Sequence, residues 1–512
     1  SCTSFSKSRK TPFVLTVIAP SSEDKVVLAN GLQYEVLLQW NDPLSAADRF
    51  GFNNDYLAFL PLDKANPTDG LLWVNHEYTD PMFVSGFLTG GEKTKEQVER
   101  EMYSVGGSIV RVRRKGKSWE VVLDDPLNRR LTGTTEIPLN WHEPIMGKTS
   151  AQGTLGNCAG GVTPWGTILT CEENYDMFYG ERDYSTGRRI PNSERNLLDF
   201  QWYQHFKNPP EHYGWVVEVN PKTGEAQKHV ALGRCAHECA TVVELEDGRI
   251  VVYTGDDAND QCLYKFIGSE PGSLSKGTLY VANTLLGKWI PIDFEQQKAL
   301  QAKFTNQTDV LIRLREAAKL VGGTPLDRPE DIEIHPVEKG WVLVTLTNNT
   351  PKKNFTGSIL KIQEADGRHD SLTFQADTYL TGGKQTGFAS PDNMAFDFGG
   401  NLWFTSDMSG SLMNQHEAYL PFKNNGLFVV PREGAQAGKV VQVASAPVDA
   451  EFTGPWFAPD GETLFLSVQH PGEYSKSLKE LRSHWPNGGK SIPRPAVIAI
   501  SGEMISALNG GG

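Results

Sequence analysis

The chain has few cysteines: six in 512 residues, at positions 2, 158, 171, 235, 239 and 262, and no CxxC pair among them. That excludes a zinc knuckle, and buried thiols or one or two disulfides account for the set. It lacks a basic surplus. The net charge of −13 argues against a nucleic-acid partner. It also lacks any apolar run near the roughly 20 residues of a membrane helix. The longest early apolar stretch, 13–19, reads as a strand. The G-x-S-x-G elbow of serine hydrolases is missing, as is the HExxH zinc motif, since no histidine follows His237 at four residues. The glycines of 322–325 and of the extreme C-terminus lack the phosphate-loop lysine. The start at Ser1 fits either a removed export signal or a trimmed chain.

Helical periodicity is scarce. The spacing of apolar and charged residues predicts helices only over 96–102 and 294–320. The rest is short β-branched or aromatic runs divided by Gly, Asp, Asn and Pro. Hydrophobic residues make up 39% and charged residues 22%, enough for a packed core and against wholesale disorder.

One pattern returns six times. A turn glycine leads into an apolar strand that ends in polar or acidic residues. The copies start at Gly70, Gly166, Gly248, Gly340, Gly400 and Gly461, at spacings of 96, 82, 92, 60 and 61 residues. A compact four-stranded blade needs roughly 40–50, so the longer intervals hold insertions, near 90–105 and 290–325. The residues before Gly70 and after Gly461 are expected to join and close the ring. We therefore expect an all-β, six-bladed β-propeller with a few helical insertions, one domain over 1–512.

A polar residue precedes most of these glycines, one strand upstream. Cys158 lies 8 residues before Gly166, Glu238 10 before Gly248, Glu330 10 before Gly340 and Asp392 8 before Gly400. In an antiparallel hairpin the start of the first strand and the end of the second share one edge. Innermost strands line a propeller's channel, so these four predict a ring around it. The second-strand ends, Glu77, Glu173, Asp256, Asn348, Asp407 and His470, are expected further out, where turn polarity alone explains them. Asp331 and Glu172 should point away from the ring, because neighbours in a strand alternate sides. Trp73, Trp165, Trp403 and Trp456 read as blade packing. His76 and His237 read as structural histidines or as groups facing phosphate.

Crowded carboxylates resist burial unless cations neutralise them. Ca²⁺ takes six to eight oxygens in loose geometry. A thiolate among them suits a softer metal such as iron or zinc. The donor set points to a mixed-metal site.

The segment 157–174, NCAGGVTPWGTILTCEEN, with GLLWVNHEY at 70–78, GRCAHE at 233–238, RPEDIE at 328–333 and SPDN at 390–393, closely resembles the PhoX family of alkaline phosphatases. The resemblance implies a six-bladed propeller that hydrolyses phosphomonoesters with about two iron and about three calcium ions and a bridging oxo group. By motif position, Cys158 is the expected thiolate ligand of iron, and Glu173, Glu238, Glu330 and Asp392 are expected ligands of iron or calcium. Arg328 is expected to contact the phosphate and, with Glu330, to serve catalysis. A metal-held oxo or hydroxo group would be the nucleophile. The alternative for Arg328 is a salt bridge to Glu330 or Asp331. The resemblance further implies export through the twin-arginine pathway to the periplasm or beyond, small phosphate esters as the only partners, no membrane insertion and a monomer. The chain reads as shorter than typical members, which predicts missing peripheral insertions. Cys235 and Cys239 flank His237-Glu238, where two thiols are unexpected, and we read them as small buried residues rather than a disulfide. Two other functions compete: a calcium-dependent six-bladed lactonase, whose site needs no thiolate, and a non-catalytic binding propeller.

Overall fold

The computed structural model describes residues 13–191 and 200–510, so Cys2 and the last two glycines lie outside the described residues. Six sheets, antiparallel except for one parallel pair in blade 2, form a six-bladed β-propeller. The first two strands of the blades are Asn54–Asp63 and Asn66–His76 in blade 1, Asn157–Val162 and Ile168–Glu172 in blade 2, and Thr241–Glu244 and Arg249–Gly255 in blade 3. They are Pro329–Ile334 and Trp341–Leu346 in blade 4, Pro391–Phe396 and Leu402–Ser406 in blade 5, and Glu451–Phe457 and Thr463–Gln469 in blade 6.

The inner hairpins of neighbouring blades are tied to one another by a closed circuit of hydrogen bonds. Asn75 Nδ2 donates to the Cys158 carbonyl at 2.9 Å, and Ala159 N to the Glu238 carbonyl at 2.9 Å. Thr241 Oγ1 donates to the Ile332 carbonyl, Met394 N to Asp331 Oδ2, and Gly454 N to Asn393 Oδ1, at 2.6, 2.7 and 2.7 Å. Ser467 Oγ closes the circuit on the Asp55 carbonyl at 2.7 Å. The N-terminal strand Gln33–Gln39 completes blade 6 by pairing with Ala496–Ser501, so the two chain ends meet in one sheet as expected. A further strand, Val27–Leu28, extends blade 5.

Four sequence expectations need correction. Residues 13–19 form no strand; Leu15 and Ile18 dock on Gln436 and Gln442 through their N–H groups. The helical region 294–320 is three short helices, Lys298–Lys303, Gln307–Ile312 and Leu314–Leu320, because Asn306 caps Asp309 N and restarts the chain. Gly70 lies inside a strand opposite Pro61, not at a turn. Trp165 is 43% exposed and donates to Glu218, whereas Trp73 and Trp403 are buried in blade cores.

The other five repeat glycines do sit in left-handed turns, with φ of 85, 86, 78, 80 and 67° at Gly166, Gly248, Gly340, Gly400 and Gly461. A Cβ at Gly166 would meet nothing within 4 Å, whereas one at Gly340 would lie 2.5 Å from Gly367 Cα. Both alanine variants cost the left-handed penalty of about 1–2 kcal/mol. Gly340→Ala adds backbone overpacking of about 1–3 kcal/mol. Urea unfolding should therefore rank Gly340→Ala below Gly166→Ala; equal midpoints would contradict this account.

Candidate metal centre

The same local device recurs at the channel mouth. In blades 1, 2, 4 and 5 the strand pairing slips by one residue, so that two residues oppose one: Asp55-Tyr56, Cys158-Ala159, Glu330-Asp331 and Asp392-Asn393. Such a bulge re-aims side chains at the end of a strand. The first residue of each pair turns to the mouth. The second faces the other end of the channel, where Tyr56, Ala159, Asp331 and Asn393 line a cavity of about 320 Å³. Two positions before the mouth residue the backbone is left-handed in five blades, at Asn53, Gly156, Arg328, Ser390 and Asp449 (φ 41 to 66°). Four of these five are not glycine. Strain of this kind persists where the surroundings over-determine it.

The result is a string of four triads. Asp55, Glu77 and Cys158 form the first; Cys158, Glu173 and Glu238 the second; Glu238, Glu330 and Asp392 the third; Asp392, Asp407 and Glu451 the fourth. Within each, three ligand atoms lie within 4.8 Å of one another. Cys158 Sγ is 3.1 Å from Glu238 Oε2 and 3.3 Å from Asp55 Oδ2. The structure thus brings together the expected residues Cys158, Glu173, Glu238, Glu330 and Asp392.

The outer set divides. Glu77, Glu173 and Asp407 belong to the triads and do not stand further out. Asp256 is gripped by Arg315 through Nε and Nη2, both at 2.8 Å, and Asn348 Oδ1 accepts from Arg328 Nη1 at 3.3 Å. His470 lies 3.3 Å from Glu451 and 3.1 Å from Glu473. Sequence reasoning missed Asp55, Glu451 and Asp257. Glu451 stands 10 residues before Gly461, the spacing of Glu238 and Glu330, and was legible. Asp55 was hidden because Gly70 is not its turn glycine.

Arg328 reaches into the string. Its Nε donates to Asp257 Oδ1 at 2.9 Å and its Nη2 to Glu330 Oε1 at 2.8 Å, with Asp407 at 3.5 Å. The salt bridge to Asp331 does not form. Asp331 instead accepts from Met394 N and Ile332 N, and Glu172 is held by Lys228 Nζ at 2.9 Å; both point away from the mouth. His76 and His237 are structural. His76 Nδ1 meets the Phe52 carbonyl and Nε2 the Ser108 hydroxyl; His237 Nδ1 meets Thr254 and Nε2 the Gly233 carbonyl. Cys235 and Cys239 are buried free thiols.

Electrostatics set the character of the site. Burial, followed by the neighbouring carboxylates, raises Asp55, Glu238, Glu330, Asp392 and Glu451 well above the usual carboxylate range. Burial and then Asp55 push the Cys158 thiol up. Burial alone would depress His470, but Glu473, Asp407 and Glu77 outweigh it and raise it. Asp55 Oδ1 and Glu451 Oε2 are buried with no hydrogen-bond partner. Orphaned carboxylate oxygens, crowded acids and one thiol make a donor set suited to cations, with oxygens for hard ions and sulfur for a softer one. The residues present fit such ions.

A family model described as alkaline phosphatase PhoX matches residues 14–472. No protein among the curated sequences matches the chain. Among solved structures, Pseudomonas fluorescens PhoX in complex with vanadate, a transition state analogue, is 28% identical with a TM-score of 0.85. The match covers 97% of this chain and 99% of that one, so against this relative no sizeable insertion is missing. A Dyadobacter fermentans protein of unknown function is 10% identical (TM-score 0.43; 93% and 100% covered). The gluconolactonase XC5397 of Xanthomonas campestris is 12% identical (TM-score 0.31; 91% and 97% covered).

With cations stripped, the folded protein binds protons that the unfolded chain releases. Stability then falls as pH rises above the ordinary carboxylate value of about 4. Buried His237, depressed to about 4, acts in the opposite sense, but only up to about pH 6.5. The melting temperature of chelated protein should therefore drop relative to the metal-loaded form as pH is raised from about 5 to about 9, the range above the ordinary carboxylate value. A constant gap between the two forms would contradict the assignment.

Proposed function

The chain belongs to the PhoX family of alkaline phosphatases, and on that premise we propose that its phosphomonoester hydrolysis is carried out by a mixed iron and calcium cluster held in the four triads. Cys158, Glu173, Glu238, Glu330 and Asp392 are the ligands we assign from sequence and position. Asp55, Glu77, Asp407 and Glu451 extend the set. The observation that carries this reading is one thiol among eight carboxylates, seven of them buried and Asp407 half-buried, with two carboxylate oxygens lacking any partner. About two iron and about three calcium ions with a bridging oxygen is the composition we propose. Clustered cations of this kind supply Lewis-acid polarisation and activation of a nucleophile near neutral pH.

The chain's own groups do the rest. The planar Arg328 guanidinium is suited to a bidentate phosphate contact. It is fixed by Asp257 and Glu330 and is 19% exposed at the mouth. Asn348, bonded to Arg328 Nη1, donates to the Ser390 and Tyr419 hydroxyls. Arg328 is thereby held between blades 4 and 5. Burial would lower Arg328, but Asp257, Glu330 and Asp407 outweigh it and raise it well above its ordinary value. It remains a cation at every working pH. Cys158 separates this reading from a calcium lactonase or a binding scaffold, neither of which needs a thiolate.

Elemental analysis with a p-nitrophenyl phosphate assay tests the proposal. Chelation should remove turnover, and Cys158→Ala and Glu330→Ala should lose both iron and activity. Full activity with normal metal content in either variant would refute the ligand set. Arg328→Lys should keep its metals yet lose about 10–100-fold in kcat/KM, the worth of one charged hydrogen-bond fork. Loss of iron in that variant would make Arg328 a support for Glu330 instead. Turnover of a lactone in place of the phosphate ester would favour the lactonase.

We further propose export in the folded state through the twin-arginine pathway to the periplasm or beyond, as a monomer. No described helix is long and apolar enough to cross a membrane. A ligand set drawn from all six blades exists only once the ring has closed, which agrees with folding and metal loading before export. Inactivating the twin-arginine translocase should leave the enzyme in the cytoplasm; undisturbed export would rule this route out.

A further inference from the structure

A second recess lies beside blades 2 and 3, with a volume of about 290 Å³, at the lower edge of small-molecule sites. Two of its walls adjoin the metal centre. Tyr175 follows Glu173 by two residues and donates its N–H to the Glu173 carbonyl at 2.7 Å. Arg315, on the inserted helix Leu314–Leu320, grips Asp256, whose chain neighbour Asp257 holds Arg328. With successive Cα atoms about 3.8 Å apart, the Tyr175 Cα lies within about 8 Å of the Glu173 Cα.

Three buried polar atoms in the recess have no hydrogen-bond partner: Tyr184 Oη, Gln261 Oε1 and Arg313 Nε. An unpaired buried polar atom carries its full desolvation penalty, and three in one recess mark a place built for a ligand. Their chemistry narrows the choice. The guanidiniums around them are already committed: Arg182 to Glu211, Arg234 to Glu181, Arg315 to Asp256, and the Nη atoms of Arg313 to Asp309 and Glu316. Lys319, exposed at the rim, adds a further cation. The open positions inside are one donor, one acceptor and one hydroxyl that serves as either. Ligand hydroxyls, which both donate and accept, satisfy all three. A second phosphate would satisfy only the donors. The Tyr175 and Tyr184 rings lie against Arg234 and Arg313, at 4.5 and 4.9 Å, and are held as flat walls.

We propose that this recess binds the leaving group of the phosphate ester and that the leaving group is a polyol or sugar. The proposal rests on the phosphatase reading above. Its test compares glucose 6-phosphate with p-nitrophenyl phosphate on the metal-loaded enzyme, in wild type, Tyr184→Phe and Gln261→Met. Each variant should lower the kcat/KM ratio of the sugar ester to the aryl ester about fivefold, the range of one neutral hydrogen bond, with the aryl-ester kcat unchanged. Saturation-transfer NMR should show free glucose bound by the wild type and weakened in both variants. An unmoved ratio in both folded variants with aryl-ester turnover intact overturns the subsite alone. An inactive wild type, metal-loaded and folded, overturns the phosphatase reading on which it rests. A preference for fructose 1,6-bisphosphate lost on Lys319→Ala, with Tyr184→Phe silent, would replace the polyol with an anionic leaving group and also overturn the proposal.

Discussion

Everything at the channel mouth depends on the mutual repulsion of buried carboxylates. Two such charges 4.8 Å apart repel by about 3 kcal/mol at an effective dielectric near 20. A domain's whole stability is about 5–15 kcal/mol. Eight carboxylates sharing four triads would exhaust that margin if all were ionised and unscreened. Arg328 and His470 offset only part of it. The remainder has two remedies, protons or metal ions, and they differ in consequence. Protons silence the ligands and pair poorly with chemistry at alkaline pH. Cations keep every oxygen ionised and turn the same charge density into a phosphate-binding surface. The strain of the fold and the requirement of the reaction are thus met by one occupant.

The propeller supplies this crowding by repetition. A hairpin puts strand starts and strand ends on one rim, and six hairpins place six rims together. The bulge then lets adjacent residues serve different ends of the channel: Asp55 and Tyr56, Cys158 and Ala159, Glu330 and Asp331, Asp392 and Asn393. The left-handed residue two positions earlier bends the chain into the mouth. At blade 4 that residue is Arg328 itself, so the backbone that aims Glu330 also carries the cation that partners it. A side chain held on both its backbone and its guanidinium keeps little freedom to lose when it binds a phosphoryl group.

Much of this was legible in the sequence, for a physical reason. Turn glycines with positive φ recur because other residues adopt that conformation at a cost, so Gly166, Gly248, Gly340, Gly400 and Gly461 mark the blades. Cys158, Glu238, Glu330 and Asp392 stand one strand length upstream of those glycines. Glu451 obeys the same rule and was readable; Asp55 was not, since the first hairpin turns at 64–65 and Gly70 only mimics a turn. The inner place of Glu77, Glu173 and Asp407 was also hidden. Strand periodicity gives the side of a sheet on which a residue lies, but not how far its side chain reaches across a closed channel. Asp257 belongs to no repeat position at all and is found only by following Arg328.

The triads overlap, and this bears on how the molecule holds together. Cys158, Glu238 and Asp392 each belong to two of them. The first triad joins blades 1 and 2, the second blades 2 and 3, the third blades 3, 4 and 5, and the fourth blades 5 and 6. At the remaining seam Gln469 of blade 6 donates to Glu77 at 2.7 Å and to Asp55 at 3.4 Å. Ions seated in such a string bind the closed ring and have no equivalent site in an opened one. Their binding free energy therefore adds to the stability of closure by mass action, at the point where the N-terminal strand alone completes blade 6. Because neighbouring ions share ligands, loss of one shared side chain disturbs two positions, and the effects of separate substitutions will not add. Catalytic loading and the integrity of the propeller are in this sense one equilibrium, set by the same few side chains at the mouth.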